Sequence, residues 1–313
     1  MTVTEWLLDA DPAIRWQVMR DLTDEPAEVV AAERAKVAYE GWGDRLLALQ
    51  GADGQWDGGT YFPSWATWND PQPWTATAPT LALLRELGAH PETEHVQWAI
   101  ELVRANSKWE HDGEDFFAGE VEPCINGLTV ALGSYYGQDV RAIVDRLLGE
   151  QMADGGWNCE QENGSVRGSF GSTINVLEGL LEWERATGGT PEARAARERG
   201  EEYLLERRLF RRVSTGEVAD SDWLQFSFPP RWHYDVLRGL DYFRSVGGTP
   251  DARLAEAVGV LEGRRDDEGR WPLENTHAGA VHFELEDGDG RPSRWNTLRA
   301  LRVLRWWEAN YPA

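Results

Sequence analysis

A short pattern, Gln-x-x-x-Gly-x-Trp, returns along this chain. An internal repeat restricts the fold more than any other property of a sequence. It is complete at Gln50-Gly-Ala-Asp-Gly54-Gln-Trp56 and at Gln151-Met-Ala-Asp-Gly155-Gly-Trp157, and Arg265-Asp-Asp-Glu-Gly269-Arg-Trp271 differs only by Arg for Gln. Each copy follows a Leu-rich stretch of helical character. Weaker copies lead to Trp109 and Phe210, so the five aromatic positions recur about every 50 residues. A second helical stretch follows each loop, around Leu81, Leu128, Leu177, Leu237 and Leu298. These are poorer in charge than the first helices, which suits burial on more than one side. The first four end beside Gly88, Gly137, Gly188 and Gly247, where glycine accepts the left-handed conformation that stops a helix.

The unit is therefore helix, turn, loop, helix, without a convincing alternating strand. The spacing predicts N-terminal helices over about 11–22 and 26–40, then hairpins over about 41–90, 91–140, 141–190, 191–250 and 251–313. That makes about twelve helices in one all-α domain spanning residues 1–313. Closure removes the exposed ends of an open array, so the expected architecture is a closed α/α toroid of about five to six hairpins.

Composition limits the partners. The chain holds 31 basic and 54 acidic residues, a formal charge of −23 that repels nucleic-acid backbones and anionic membrane surfaces. The only lysines are Lys36 and Lys108, a skew that fits a GC-rich genome or a salt-adapted host. No signal peptide and no apolar run near the ~20 residues of a spanning helix is visible, and two cysteines do not make a disulfide scaffold. A reduced, cytoplasmic protein is expected. Its 17 tryptophans imply either a repeated structural role or an aromatic-lined cavity.

The Trp-rich repeat between paired helices resembles the QW motif of squalene–hopene cyclases and related terpenoid cyclases. The same α/α toroid carries the catalytic subunits of protein prenyltransferases. The resemblance covers roughly residues 40–310 and implies that Gln50, Trp56, Gln151 and Trp157 stabilise helix ends. It also implies an isoprenoid or other apolar substrate in a central aromatic-lined cavity. The Asp-x-Asp-Asp acid motif of squalene-type cyclases is missing. Its nearest run is Asp220-Ser-Asp222-Trp223, so squalene cyclisation is not implied. The protein is expected to be an isoprenoid cyclase, isomerase or transferase. Its rivals are a non-catalytic carrier or sensor of an apolar ligand and a protein-binding scaffold.

Aligned on Leu, the second helices place Asn126, Asn175, Asp235 and Asn296 at one position and Cys124, Thr173, His233 and Arg294 two residues earlier. Two readings stand side by side. Asn and Asp are favoured helix caps; equally, a ring of equivalent positions would form a polar collar at a cavity mouth. In the second reading His233 and Asp235 share proton transfer, a buried carboxylate acting as general acid, with Asp222 and Glu284 in reserve. Trp65, Trp68 and Trp74 form either an aromatic wall or a packed lid, and Trp232 and Tyr234 add aromatic surface to a loop that either lines or plugs the cavity. Arg231 and Arg294 beside helix N-termini would hold an anionic head group. Metal binding is not the favoured reading. The zinc alternative uses Glu122, Cys124, Cys159 and His233, because Glu122-Pro-Cys124 and His233 resemble the Asp-x-Cys pair and His that hold zinc in prenyltransferases.

Overall fold

The computed structural model describes residues 1–67 and 71–311. Trp68, one of the three loop tryptophans, lies outside the described residues. The fold is almost entirely α-helical. Three helices open the chain: α1 (Val3–Leu8), α2 (Pro12–Asp21) and α3 (Ala27–Ala35). Five pairs follow: α4 (Gly41–Leu47) with α5 (Thr77–Leu87), α6 (Glu94–Asn106) with α7 (Pro123–Tyr135), α8 (Arg141–Gly149) with α9 (Phe170–Thr187), α10 (Pro191–Glu206) with α11 (Val236–Val246), and α12 (Ala255–Glu262) with α13 (Arg294–Asn310).

Helix α1 was not expected from periodicity, since six residues are too few to show one. It is set by a capping box, in which the Glu5 amide donates to Thr2 Oγ1 and the Thr2 amide to Glu5 Oε2. The expectation of no strand is also corrected. Residues Trp271–Pro272 (β1) pair antiparallel with Pro292–Ser293 (β2), too short for any alternation to appear in sequence. Isolated bridges at Trp56–Gly59, Lys108–Asp115, Trp157–Ser169 and Arg211–Val218 stand at the matching point of the other four hairpins.

The repeated motif is a clasp with the same parts each time. The indole N–H of Trp56, Trp157 and Trp271 donates to the carbonyl of Leu46, Leu147 and Leu261 at 2.7, 2.8 and 2.7 Å. Those carbonyls lie in the last turns of α4, α8 and α12, where a helix has no internal donor left. The same tryptophans donate their backbone N–H to the hydroxyls of Thr77, Thr173 and Thr297 on α5, α9 and α13. Each Trp thus ties the end of one helix to the start of its partner. Gln50 and Gln151 then reach the first helix of the next pair, donating to Ala99 on α6 and Ala196 on α10 as well as to Gly54 and Gly155. Gly155 has φ +87°, and a Cβ there would stand 2.5 Å from the Arg199 carbonyl, so glycine is required twice over.

The helices gather into two compact units: Met1–Val30 with Glu201–His277 and Leu285–Ala313, and Ala31–Gly200 with Ala278–Glu284. In the second, α7 and α9 cross with backbones in contact through Gly127 and Gly179. In the first, α13 packs on α11 and α2. There buried Arg302 meets Asp21 at 2.8 Å and Gln17, and Arg299 and Arg244 flank Asp241. Among the described residues no helix is long and apolar enough to cross a membrane.

Candidate functional site

Chemistry-bearing side chains converge at the start of α7. Glu122 is its N-cap residue, Pro123 fixes the first helical position, and Cys124 follows. Cys159 opens a short 3-10 turn, Cys159–Gln161, capped by Asn158. The two sulfurs lie 2.9 Å apart, and Cys124 Sγ is 3.4 Å from Glu122 Oε2. Ser172, in the first turn of α9, accepts the Cys159 amide and contacts its sulfur, both at 3.3 Å. One ligand atom each from Glu122, Cys124 and Cys159 falls within 4.8 Å of the others. Hydrogen bonding between the thiols makes them unequal. It holds Cys159 below the usual thiol range with help from Ser172, and it pushes Cys124 up, as does burial.

Aromatic side chains gather around the loop that carries Tyr61. Burial first, then the charge of Cys124, Glu122 and Cys159, raises the Tyr61 hydroxyl above its ordinary value. Tyr61 continues into Phe62 and Trp109, with ring centroids 5.3 and 6.4 Å away, and Trp109 stacks on Phe116 at 5.0 Å. The loop carrying Tyr61 is pinned by Glu110, whose carboxylate accepts the amides of Thr60, Tyr61 and Phe62. It borders an open groove of about 610 Å³ with mixed walls that include Thr60, Phe62, Lys108 and Glu110. Trp74 is buried and donates to the Ala278 carbonyl, whereas Trp65 is 53% exposed and donates to Asp57.

Helix starts differ from the alignment on Leu. Asp235 is the N-cap of α11, Asn296 the third residue of α13, Asn126 the fourth of α7 and Asn175 the sixth of α9. Their side chains bind local backbone. Asn126 spans the Glu120 amide and carbonyl, Asn175 donates to Gly171, and Asn296 donates to Phe226 and Pro272. Thr173 belongs to the Trp157 clasp. Asp235 is buried, and its two oxygens accept the amides of Arg238 and Ser227 at 2.7 and 3.1 Å. Burial raises its carboxyl above the usual range against the opposing pull of Arg299. Asp222 and Glu284 are exposed. The Tyr234 hydroxyl donates to the Leu209 carbonyl, and the Arg294 guanidinium lies over the Trp6 ring. Arg231 has φ +57° and offers its carbonyl to Arg238.

His233 is sandwiched between Trp232 and His277, each 3.8 Å away between centroids. No local spacing pairs His277 with it, since the two lie 44 positions apart in the chain. His282 Nε2 lies 2.9 Å from Thr80 Oγ1. The compact metal-ligating group has three members among the described residues, Glu122, Cys124 and Cys159.

Burial, with Arg238 nearby, lowers His233 to about 4, and burial, His233, Arg231 and Arg238 lower His277 to about 3. In an unfolded chain both titrate near ~6.5. Below that pH the unfolded state takes up protons that the folded state refuses. Stability is thus complete above about pH 6.5 and is lost as pH falls toward about 4. Urea midpoints measured from pH 7 to 4.5 should fall less steeply for His277→Phe than for the unsubstituted chain. The difference is about 1 kcal/mol over that range once solvent exposure is allowed for; parallel curves would remove the imidazole stack as a source of the slope.

No family model matches the chain, and no curated protein does. Among solved structures it is similar to the type II terpene cyclase MstE from Scytonema, determined with its substrate geranylgeranyl dihydroxybenzoate. The TM-score is 0.41 and the identity 16%, over 94% of this chain and 85% of that one.

Proposed function

We propose that this is a terpenoid cyclase- or prenyltransferase-like protein that binds an isoprenoid or another apolar substrate beside the Glu122–Cys124–Cys159 cluster. The observation that carries the reading is the half-buried thiol pair and carboxylate, supported by the Tyr61–Phe62–Trp109–Phe116 aromatic group, whose Tyr61 hydroxyl is raised in part by the charge of that cluster. The closed α/α toroid is part of the proposal and draws on the thrice-repeated Trp clasp. Cytoplasmic placement is part of it too, and draws on the reduced cysteines and the acidic composition.

The donor set fits zinc. Two sulfurs and one carboxylate are ligand types that zinc takes, and three protein ligands leave a position open, as in catalytic sites. A bound zinc ion supplies a Lewis acid and a means of holding a thiolate or an anionic oxygen. The chain's own residues do the rest. Ser172 fixes Cys159 through its amide and sulfur, Pro123 and the first turn of α7 fix Cys124, and Glu110 holds the Tyr61 backbone. Asp235 spends both oxygens on backbone amides, and His233 is packed in a ring stack.

Elemental and lipid mass spectrometry on untagged protein tests the reading. About one zinc per chain, lost in Cys124→Ser and in Cys159→Ser, together with a co-purifying isoprenoid, is the expected outcome. Protein that carries neither metal nor lipid, and takes up neither when they are supplied, would return the chain to a scaffold.

A further inference from the structure

We propose that Cys124 and Cys159 form a reversible dithiol–disulfide pair that exchanges with low-molecular-weight disulfides. The proposal goes beyond the ligand reading above and concerns the metal-free thiol pair. It stands first on distance. The sulfurs are already 2.9 Å apart, so forming a bond of ~2.05 Å asks for a movement of under about 1 Å. It stands second on access. Both thiols are half-buried and free, so an external disulfide has a route to them that a core cysteine lacks. It stands third on exclusivity. The chain contains two cysteines, so an intramolecular disulfide has one connectivity and no competitor for exchange.

The surroundings suit the reaction. Cys124 sits in the first turn of α7, which is held against α9 by the backbone contact at Gly127 and Gly179. Cys159 sits on a short turn closed by Asn158, whose side chain binds the Glu160 amide and Ser165. One partner is therefore fixed by packed helices, and the other rides on a turn that can follow it. Glu122 Oε2, 3.4 Å from Cys124 Sγ, stands where a thiol proton must go.

The exchange balances in two steps. The thiolate of one cysteine attacks a sulfur of the external disulfide. That S–S bond breaks, one small thiolate leaves, and a mixed disulfide forms. The second cysteine then loses its proton toward Glu122 or water and attacks the protein sulfur of the mixed disulfide. The second small thiolate leaves as the Cys124–Cys159 bond forms. In sum the protein gives up two electrons and two protons, and the external disulfide is reduced to two thiols. A dithiol reductant reverses the sequence.

The test uses the full chain, reduced, desalted, and exposed to oxidised glutathione with a chelator present. Remaining thiols are then blocked with N-ethylmaleimide and the intact mass is read. The expected product has lost both maleimide-reactive thiols, carries no adduct, and is lighter than the dithiol by two hydrogens; dithiothreitol restores both thiols. Cys124→Ser and Cys159→Ser should each stop at a stable glutathione adduct, because no resolving thiol remains. If one variant does not fold, the result on the unsubstituted chain decides. Retention of both labels, or accumulation of glutathione adducts on the unsubstituted chain, overturns the proposal.

Discussion

Trp157→Ala is expected to destabilise the protein by about 4 kcal/mol, the upper part of the range for deleting a large buried side chain. Two losses combine. The indole is fully buried, so its removal leaves a void among rigid helices. It also leaves the Leu147 carbonyl, in the last turn of α8, without its donor. Trp157→Phe separates them, since the ring is largely kept while the N–H is lost; about 1–2 kcal/mol is expected there. Trp98 supplies the contrast. It is 62% exposed, so Trp98→Ala should stay within about 0.5 kcal/mol of the unsubstituted chain. Urea or guanidinium unfolding reads all three. Equal effects at Trp157 and Trp98 would mean that the repeated motif does not hold the helix pairs together.

The same clasp shows which parts of the fold could be read in advance. The bond from each Trp indole to the preceding helix spans ten residues in all three copies, so the pattern is rigid in sequence and visible as a repeat. The bond from the Trp amide to threonine spans 21, 16 and 26 residues, because the loop between the helices varies. No fixed spacing marks Thr77, Thr173 and Thr297, so their shared role is legible only in three dimensions. Loop variation also explains the slipped register of Asn126, Asn175, Asp235 and Asn296. A Leu pattern locates a helix face but not its first residue, whereas capping geometry depends on the first residue. Glu122 and Cys124 could be singled out because they are two residues apart. Cys159 approaches Cys124 from 35 positions away and Ser172 lies 13 positions further on, and no local rule links them to the pair. Tyr61 and His277 were missed for the same reason: their significance lies in neighbours brought by other elements.

Gly179→Val should cost about 3 kcal/mol or more, and it sets two effects of opposite sign against each other. By intrinsic propensity, replacing a mid-helix glycine stabilises a helix by up to ~1 kcal/mol with Ala and somewhat less with a β-branched residue. At position 179, however, a Cβ would stand 2.3 Å from the Gly127 carbonyl oxygen and 3.2 Å from its Cα. Those are backbone atoms of α7 and cannot turn aside as a side chain would. The facing glycine is equally constrained, since a Cβ at Gly127 would meet the Asn175 carbonyl at 2.5 Å. The helices would have to separate, opening voids along the crossing, and overpacking of that kind costs ~1–3 kcal/mol even where the neighbours are flexible. Gly179→Ala should already destabilise, against its propensity. Gly259 gives the control. It lies exposed within α12 with nothing within 4 Å of a new Cβ, so Gly259→Ala should stabilise by about 0.5–1 kcal/mol. Opposite signs for the two alanine variants are the expected result in chemical unfolding. A stabilised Gly179→Ala would show that α7 and α9 do not pack backbone to backbone at this crossing. The same crossing holds the first turns of α7 and α9, which carry Cys124 and Ser172. Maleimide labelling of the Gly179→Val chain should therefore also show faster modification of both thiols as that end of the helix pair loosens.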